Sequence, residues 1–435
     1  MTRTLRRLLA ALAIVLMPAA AIAQQRPQLE IDIVGGNAAA LPIAVVPFAG
    51  DAGGTDIDDV IRNDLARSGQ FRTVEETGLP ERPSDGAQVN YATWRTLRQD
   101  YLLIGRNVPS GDGYRVEYEL FDVARQQRLL GMAMTAPRAA MRDVAHQIAD
   151  AVYEKILGVP GAFWTRIAYV TARGLGRDTK YALMVADSDG WNPRTVVNSN
   201  EPLLSPSWSP DGRQLAYVSF ESGNSQVFVQ DIASGNRKAV ASFRGINGAP
   251  AFSPDGARLA LTLSKGGNPD IYVMNADGGG LRQLTNHFGI DTEPTWGADG
   301  NIYFTSDRGG RPQIYMVGPG GGSASRVSFD GGYNASPSLS FDGKKIAVAQ
   351  GAGNSYRIAL MDRSLGSPRW SLLSPGTQDE SPSFAPNASM ILYAAREGRR
   401  GVLYAVSADG RVRQRLVSAD ADVREPAWSP YRARR

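Results

Sequence analysis

The chain's 435 residues are 43% hydrophobic and 21% charged, a folded globular composition with room for two or three domains. It contains no cysteine and only two histidines, His146 and His287. Disulfides, thiolate metal centres, cysteine nucleophiles and multi-histidine metal clusters are therefore excluded together.

Arg3, Arg6 and Arg7 precede an apolar run over 8–17, and Ala21-Ile22-Ala23 stands before Gln24. This is the pattern of a secretory signal over 1–23, cleaved after Ala23. The run is too short to span a membrane, and no later run qualifies as a transmembrane segment. No cysteine follows the cleavage site to carry a lipid. Without the leader's three arginines the formal charge drops from +4 to +1, so a nucleic-acid partner loses its support. A cysteine-free exported chain fits the periplasm.

Residues 24–157 read as an α/β domain. Leu29-Glu30-Ile31-Asp32-Ile33 alternates as a strand, and 43–48 is a buried β run. Asp56 is placed to cap a helix whose apolar stripe is Ile57, Val60, Ile61 and Leu65. A strand at 71–74, a short helix with Tyr91, Trp94 and Leu97, and a strand at 101–104 follow. Segments 114–123 and 127–135 read as a hairpin. A last helix over 140–157 carries Met141, Val144, Ile148, Val152 and Ile156 on one side. His146 lies in that helix with no partner implied by spacing, and reads as a half-exposed helix residue. Residues 158–163, with Gly158-Val159-Pro160-Gly161, form a linker.

From 164 to 431 the chain repeats. SPSWSPDG, APAFSPDG, EPTWGADG, SPSLSFDG, SPSFAPNA and EPAWSPY place prolines at 206, 250, 294, 337, 382 and 426, at spacings of 44, 44, 43, 45 and 44. Each copy offers four short strands with Asp-Gly turns, the arithmetic of a β-propeller. The first unit lacks the proline segment and the last has little else. Joined, they make one blade, so the expected fold is an α/β domain followed by a six-bladed propeller closed by its C-terminal strand. Residues 432–435 are left as a basic tail.

Six copies of one loop in a closed ring surround the axial channel. The residues before the prolines are Ser205, Ala249, Glu293, Ser336, Ser381 and Glu425; three before the prolines stand Leu203, Asn247, Asp291, Asn334, Asp379 and Val423. The ring is expected to be polar and net acidic through Asp291, Glu293, Asp379, Glu380 and Glu425, and to receive a partner. His287 and Phe288 sit on a loop feeding the same mouth, and an exposed aromatic there suits an interface centre. No Gly-x-Ser-x-Gly elbow and no carboxylate pair at a catalytic spacing occurs, so no enzyme, cofactor or metal site is expected.

The leader, LEIDIV at 29–34, LPIAVVPF at 41–48, GIDTEPTW at 289–296 and DESPSFAPN at 379–387 together resemble the TolB family, the periplasmic components of Tol–Pal envelope systems. The resemblance spans the mature chain. It implies an adaptor for outer-membrane integrity and envelope constriction during cell division. The lipoprotein Pal is then expected at the propeller mouth, at Asn247, His287, Phe288, Asp291, Glu293, Asp379, Glu380 and Glu425. TolA is expected at Leu29, Glu30, Ile31, Asp32 and Ile33 by strand addition; the alternative is that these residues form an ordinary first strand of their own domain behind a frayed tail. The resemblance also brings bacteriocins and other Tol or outer-membrane proteins as further partners of a monomer. A different exported propeller, binding a peptide or polysaccharide, is the alternative.

Overall fold

The computed structural model describes residues 29–34, 39–364, 366–418 and 420–433. The expected leader, residues 24–28 and the tail residues Arg434 and Arg435 lie outside them.

The first domain is built on a five-stranded sheet. After β1 (Leu29–Val34) come β2 (Leu41–Val45), α1 (Ile57–Arg67), β3 (Phe71–Thr73), α2 (Tyr91–Thr96), β4 (Tyr101–Ser110), β5 (Gly113–Asp122), β6 (Gln127–Pro137) and α3 (Met141–Leu157). The sheet order is β3-β2-β4-β5-β6, with β2 parallel to both neighbours and β4, β5 and β6 antiparallel. Both faces of β2 are covered, which is why it reads as a continuous apolar run. Ile43 and Val45 pack under α1 and α3; Ala44 and Val46 pack against Trp94 of α2. Asp56 precedes α1 as expected but makes no capping bond. Asp58 instead accepts the Phe48 N–H at 3.2 Å and ties the loop after β2 to the helix.

Six antiparallel sheets follow, five of four strands and the last of five. In the first blade, β7 (Arg166–Arg173), β8 (Lys180–Asp187) and β9 (Arg194–Ser199) are completed by the C-terminal strand Asp422–Trp428, with Trp428 opposite Ile167. The repeat residues explain themselves locally. In SPDG, Asp211 Oδ1 accepts from Ser209 Oγ and from the Arg213 N–H, while Gly212 takes the left-handed backbone that closes the turn. Trp208, Trp296 and Trp428 are buried between sheets. Their indole N–H groups donate to Ala427 O at 3.0 Å, Ala251 O at 3.1 Å and Thr165 Oγ1 at 2.9 Å, respectively.

Strand direction divides the ring's two ends. Loops that enter the inner strands lie at one end; the Ser-Pro-Asp-Gly turns and outer hairpins lie at the other. The first domain sits on the second end. Gln414 Nε2 donates to Arg67 O at 2.6 Å, Asn387 Nδ2 to Pro160 O at 3.0 Å, and Arg432 pairs with Asp143 at 2.8 Å. Asp150 of α3 accepts the Phe163 and Trp164 N–H groups, holding the linker against the helix.

Two expectations are corrected here. The first strand does not join its own domain's sheet: β1 runs antiparallel to Arg413–Ser418, pairing Leu29 with Ser418 through Val34 with Arg413, as a fifth strand on the last blade. Its alternation is that of an edge strand, but the edge belongs to the propeller. His146 is not half-exposed. It is 1% exposed, with Nδ1 2.6 Å from Asp64 Oδ2, a partner 82 residues away that helix spacing could not disclose.

Trp428 both plugs the closing blade and donates across it. Trp428→Ala should cost about 3–5 kcal/mol, read by urea unfolding. Leu175→Ala, on an exposed loop, should stay within about 0.5 kcal/mol. Equal stability of the two variants would show that closure does not rest on this strand.

Candidate protein-binding site

The end of the propeller away from the first domain carries the loops singled out from the repeat. Three residues before each proline, the side chains turn inward. Asn247 is fully buried: its Nδ2 donates to Phe243 O at 2.7 Å and Ser225 O at 3.0 Å, and its Oδ1 accepts the Phe243 N–H at 2.8 Å. Asn334 repeats the arrangement with Asp330 O and Gln313. Asp291, also fully buried, accepts from Arg308 Nη2 at 2.7 Å. Asp379 is buried against Ser374, and burial pushes its carboxyl above the ordinary range. These four residues hold the loops in shape rather than lining their rim.

Just before the prolines, the backbone is left-handed in all six repeats, with φ from +45° at Ala249 to +53° at Glu293 and Ser381. Register shifts there in every inner strand. The two glutamates at this position reach to the next blade. Glu293 accepts from Ser336 Oγ at 2.7 Å and Ser336 N at 2.9 Å; Glu425 accepts the Ser205 N–H at 2.9 Å. Burial raises the Glu425 carboxyl, the Ser205 N–H opposes this, and Glu380 and Glu293 add to the rise. Glu380 is exposed. The acidic ring expected at the rim is therefore spent largely inside it.

The rim also exposes large apolar side chains. Phe288 is 88% exposed and lies against the His287 ring, centroids 4.2 Å apart. His287 is itself braced: its Nδ1 accepts the Gly289 N–H at 2.9 Å and its carbonyl accepts from Asn268 at 2.8 Å. Phe329 is 74% exposed, and Ile246 and Ile290 are about half exposed. These four occupy consecutive loops, entering the third, fourth and fifth blades. Tyr333 and Tyr356 form an edge-on pair at 5.2 Å beside them. Scattered exposed apolar residues mean little, but several on adjacent loops of one mouth make it the candidate interaction surface. Of these side chains the sequence singled out Phe288, and not Ile246, Ile290, Phe329, Tyr333 or Tyr356. The available signal was large apolar residues in inter-blade loops, where turn chemistry favours polar ones.

The arrangement is one of recognition. The three-ligand group that the described residues offer a metal ion, Asp64, His146 and Asp189, lies at the opposite end, and Arg67 and Arg142 already occupy its carboxylates.

Comparison with known proteins agrees with this anatomy. The family model described as the TolB amino-terminal domain matches residues 29–129, and that described as the TolB beta propeller domain matches residues 153–432. The chain belongs to the TolB family. It is 68% identical over 432 residues to the Tol-Pal system protein TolB of Xanthomonas campestris pv. campestris (strain B100), covering 98% of each chain. The same identity and coverage hold for the Tol-Pal system protein TolB of Xanthomonas oryzae pv. oryzae (strain KACC10331 / KXO85). The crystal structure of TolB from Acinetobacter baumannii superposes with a TM-score of 0.87 at 41% identity, covering 93% of this chain and all of that one. TolB proteins are non-catalytic adaptors, and no catalytic constellation is assigned to this chain.

From a fully buried position Asn247 satisfies backbone groups of Phe243 and Gly245 in its own loop and of Ser225 in the neighbouring one. Asn247→Ala leaves them unpaired and should cost about 1–3 kcal/mol, whereas Phe288→Ala should leave the unfolding midpoint nearly unchanged. Matching losses from the two would mean that Phe288 is a packing residue.

Proposed function

We propose that this chain is the periplasmic adaptor of a Tol–Pal system, receiving Pal at the open propeller mouth and TolA through its N-terminal segment. The observation that carries the first half is the run of exposed Phe288, Ile290 and Phe329 beside Ile246 on three adjacent loops. Those loops are stiffened from below by Asn247, Asp291 and Asn334. Rigid loops bearing aromatic anchors lose little entropy on binding. In this reading His287 and Phe288 contact Pal directly and Glu380 contributes at the rim. Asn247, Asp291, Glu293, Asp379 and Glu425 act by positioning.

The second half rests on β1. Its residues 29–34 pair with one strand of the last blade, leaving one backbone edge for strand addition. Leu29, Glu30, Ile31, Asp32 and Ile33 remain the proposed TolA segment. Export through the 1–23 leader, the periplasmic location, the monomeric state and the linkage to outer-membrane integrity and division belong to the same reading, as do bacteriocins and other outer-membrane proteins as users of the same surface.

Isothermal titration with the purified periplasmic parts of Pal and TolA tests both halves. Phe288→Ala and Phe329→Ala should each weaken Pal binding about tenfold or more, as hot-spot truncations do, without changing TolA binding. Deleting 24–34 should abolish TolA binding and spare Pal. Because β1 covers the edge of the last blade, this deletion should also lower the melting temperature, and circular dichroism must show a folded ring. Pal affinity indifferent to both phenylalanines, or TolA binding that survives the deletion in a folded protein, would overturn the respective half.

A further inference from the structure

A buried ionic cluster lies where α1, α3 and the hairpin between β8 and β9 meet, at the seat of the first domain on the propeller. His146 Nδ1 is 2.6 Å from Asp64 Oδ2, and its Nε2 is 3.8 Å from Asp189 Oδ2. The other Asp64 oxygen accepts from Arg67 Nε at 3.0 Å, and Arg67 reaches across the interface to donate to Ser188 Oγ at 2.9 Å. Arg142 of α3 pairs with Asp189. Asp64 and His146 are each 1% exposed.

The imidazole's second nitrogen decides what this cluster can do. Nε2 is buried and has no hydrogen-bond partner among the described residues. If His146 is neutral and donates through Nδ1 to Asp64, Nε2 turns a lone pair toward the Asp189 carboxylate in a low-dielectric site. If it is an imidazolium, both N–H groups face carboxylates, one on each domain. A cation in place of that proton is disfavoured, because two guanidiniums already neutralise the carboxylates.

We propose that His146 is a protonation-gated latch between the domains: as an imidazolium it joins Asp64 of the first domain to Asp189 of the first blade, and losing that proton loosens the first domain's seat on the propeller.

Every charged group facing the site bears on the sign. Burial pushes the His146 pKa down, but Asp64 and Asp189 outweigh it and leave it raised, with Arg67 opposing. Asp189 is pushed up by burial yet held low overall by His146, Arg142 and Arg67. With the folded value above the ordinary value of about 6.5, the latch is complete below that pH and is lost as pH rises through the folded value. Asp150, behind His146 on α3, is raised to about 6, chiefly by burial. Its own effect is a loss of stability between its ordinary value and about 6, on the acid side of the histidine's window. Burial likewise raises Asp187, while Asp143 is paired with Arg432.

The chain's two histidines make the test clean. Imidazole NMR signals of the full mature protein, assigned with His146→Gln, should place the His146 midpoint above 6.5. Amide exchange in the 186–191 hairpin, corrected for the intrinsic pH dependence, should lose about tenfold protection or more between pH 6 and pH 9. His146→Gln should remove that pH dependence, and Asp189→Asn should move the midpoint to lower pH. A merely structural role would lower the stability of His146→Gln but leave the pH slope in place. A midpoint below 6.5, hairpin protection independent of pH in the unmodified protein, or an unchanged slope in a folded His146→Gln would overturn the latch. Should His146→Gln fail to fold, assignment by His287→Asn and the Asp189→Asn shift decide it.

Discussion

Ring closure is the constraint on which the rest of this structure depends. The strand Asp422–Trp428 pairs with β7, more than 250 residues earlier, and turns a row of sheets into a ring without free ends. Only in a closed ring do six inner strands converge on one axis and their six loops on one mouth. Closure also makes local strain tolerable. A left-handed backbone at a non-glycine residue costs on the order of 1–3 kcal/mol, and this ring holds one in every blade. Cross-blade bonds such as Glu293 to Ser336 and Glu425 to Ser205 offset part of that cost.

The two ends of the ring are used differently. One end is covered by the first domain through backbone caps, a linker tied down by Asp150, and a buried ionic cluster. The other end stays open and carries exposed aromatic and aliphatic side chains on adjacent loops. β1 belongs to neither end: it stands outside the first domain's sheet and pairs with the last blade. A segment proposed to hand itself to one partner is thus hydrogen-bonded to the body that receives the other.

Most of the packing between blades is apolar and repetitive, so Trp208, Trp296 and Trp428 could serve a ring of any phase. The domain interface is not repetitive. A buried ion cluster is costly unless each member is matched. Asp64, Arg67, Arg142, His146, Ser188 and Asp189 therefore specify one seating of one domain on one particular hairpin.

Much of the fold was legible in the sequence. A period of 44 residues, Asp-Gly at matching positions and two half-units that complete each other lead to a closed six-bladed ring, because turn chemistry and strand alternation are local. The mouth was legible as a place, since equal register puts equivalent loops at one end. Which of its side chains point outward was not. Asp291 and Asp379 have the same spacing as rim residues would, yet a bulge resets the alternation beside the proline, and buried hydrogen bonds draw both inward. The exposure of Phe329 and Ile246, the destination of β1 on a blade 380 residues away, and the meeting of His146 with Asp64 and Asp189 are long-range outcomes. They were decided by tertiary structure alone, because a hydrogen bond or a burial between distant segments leaves no period in the chain.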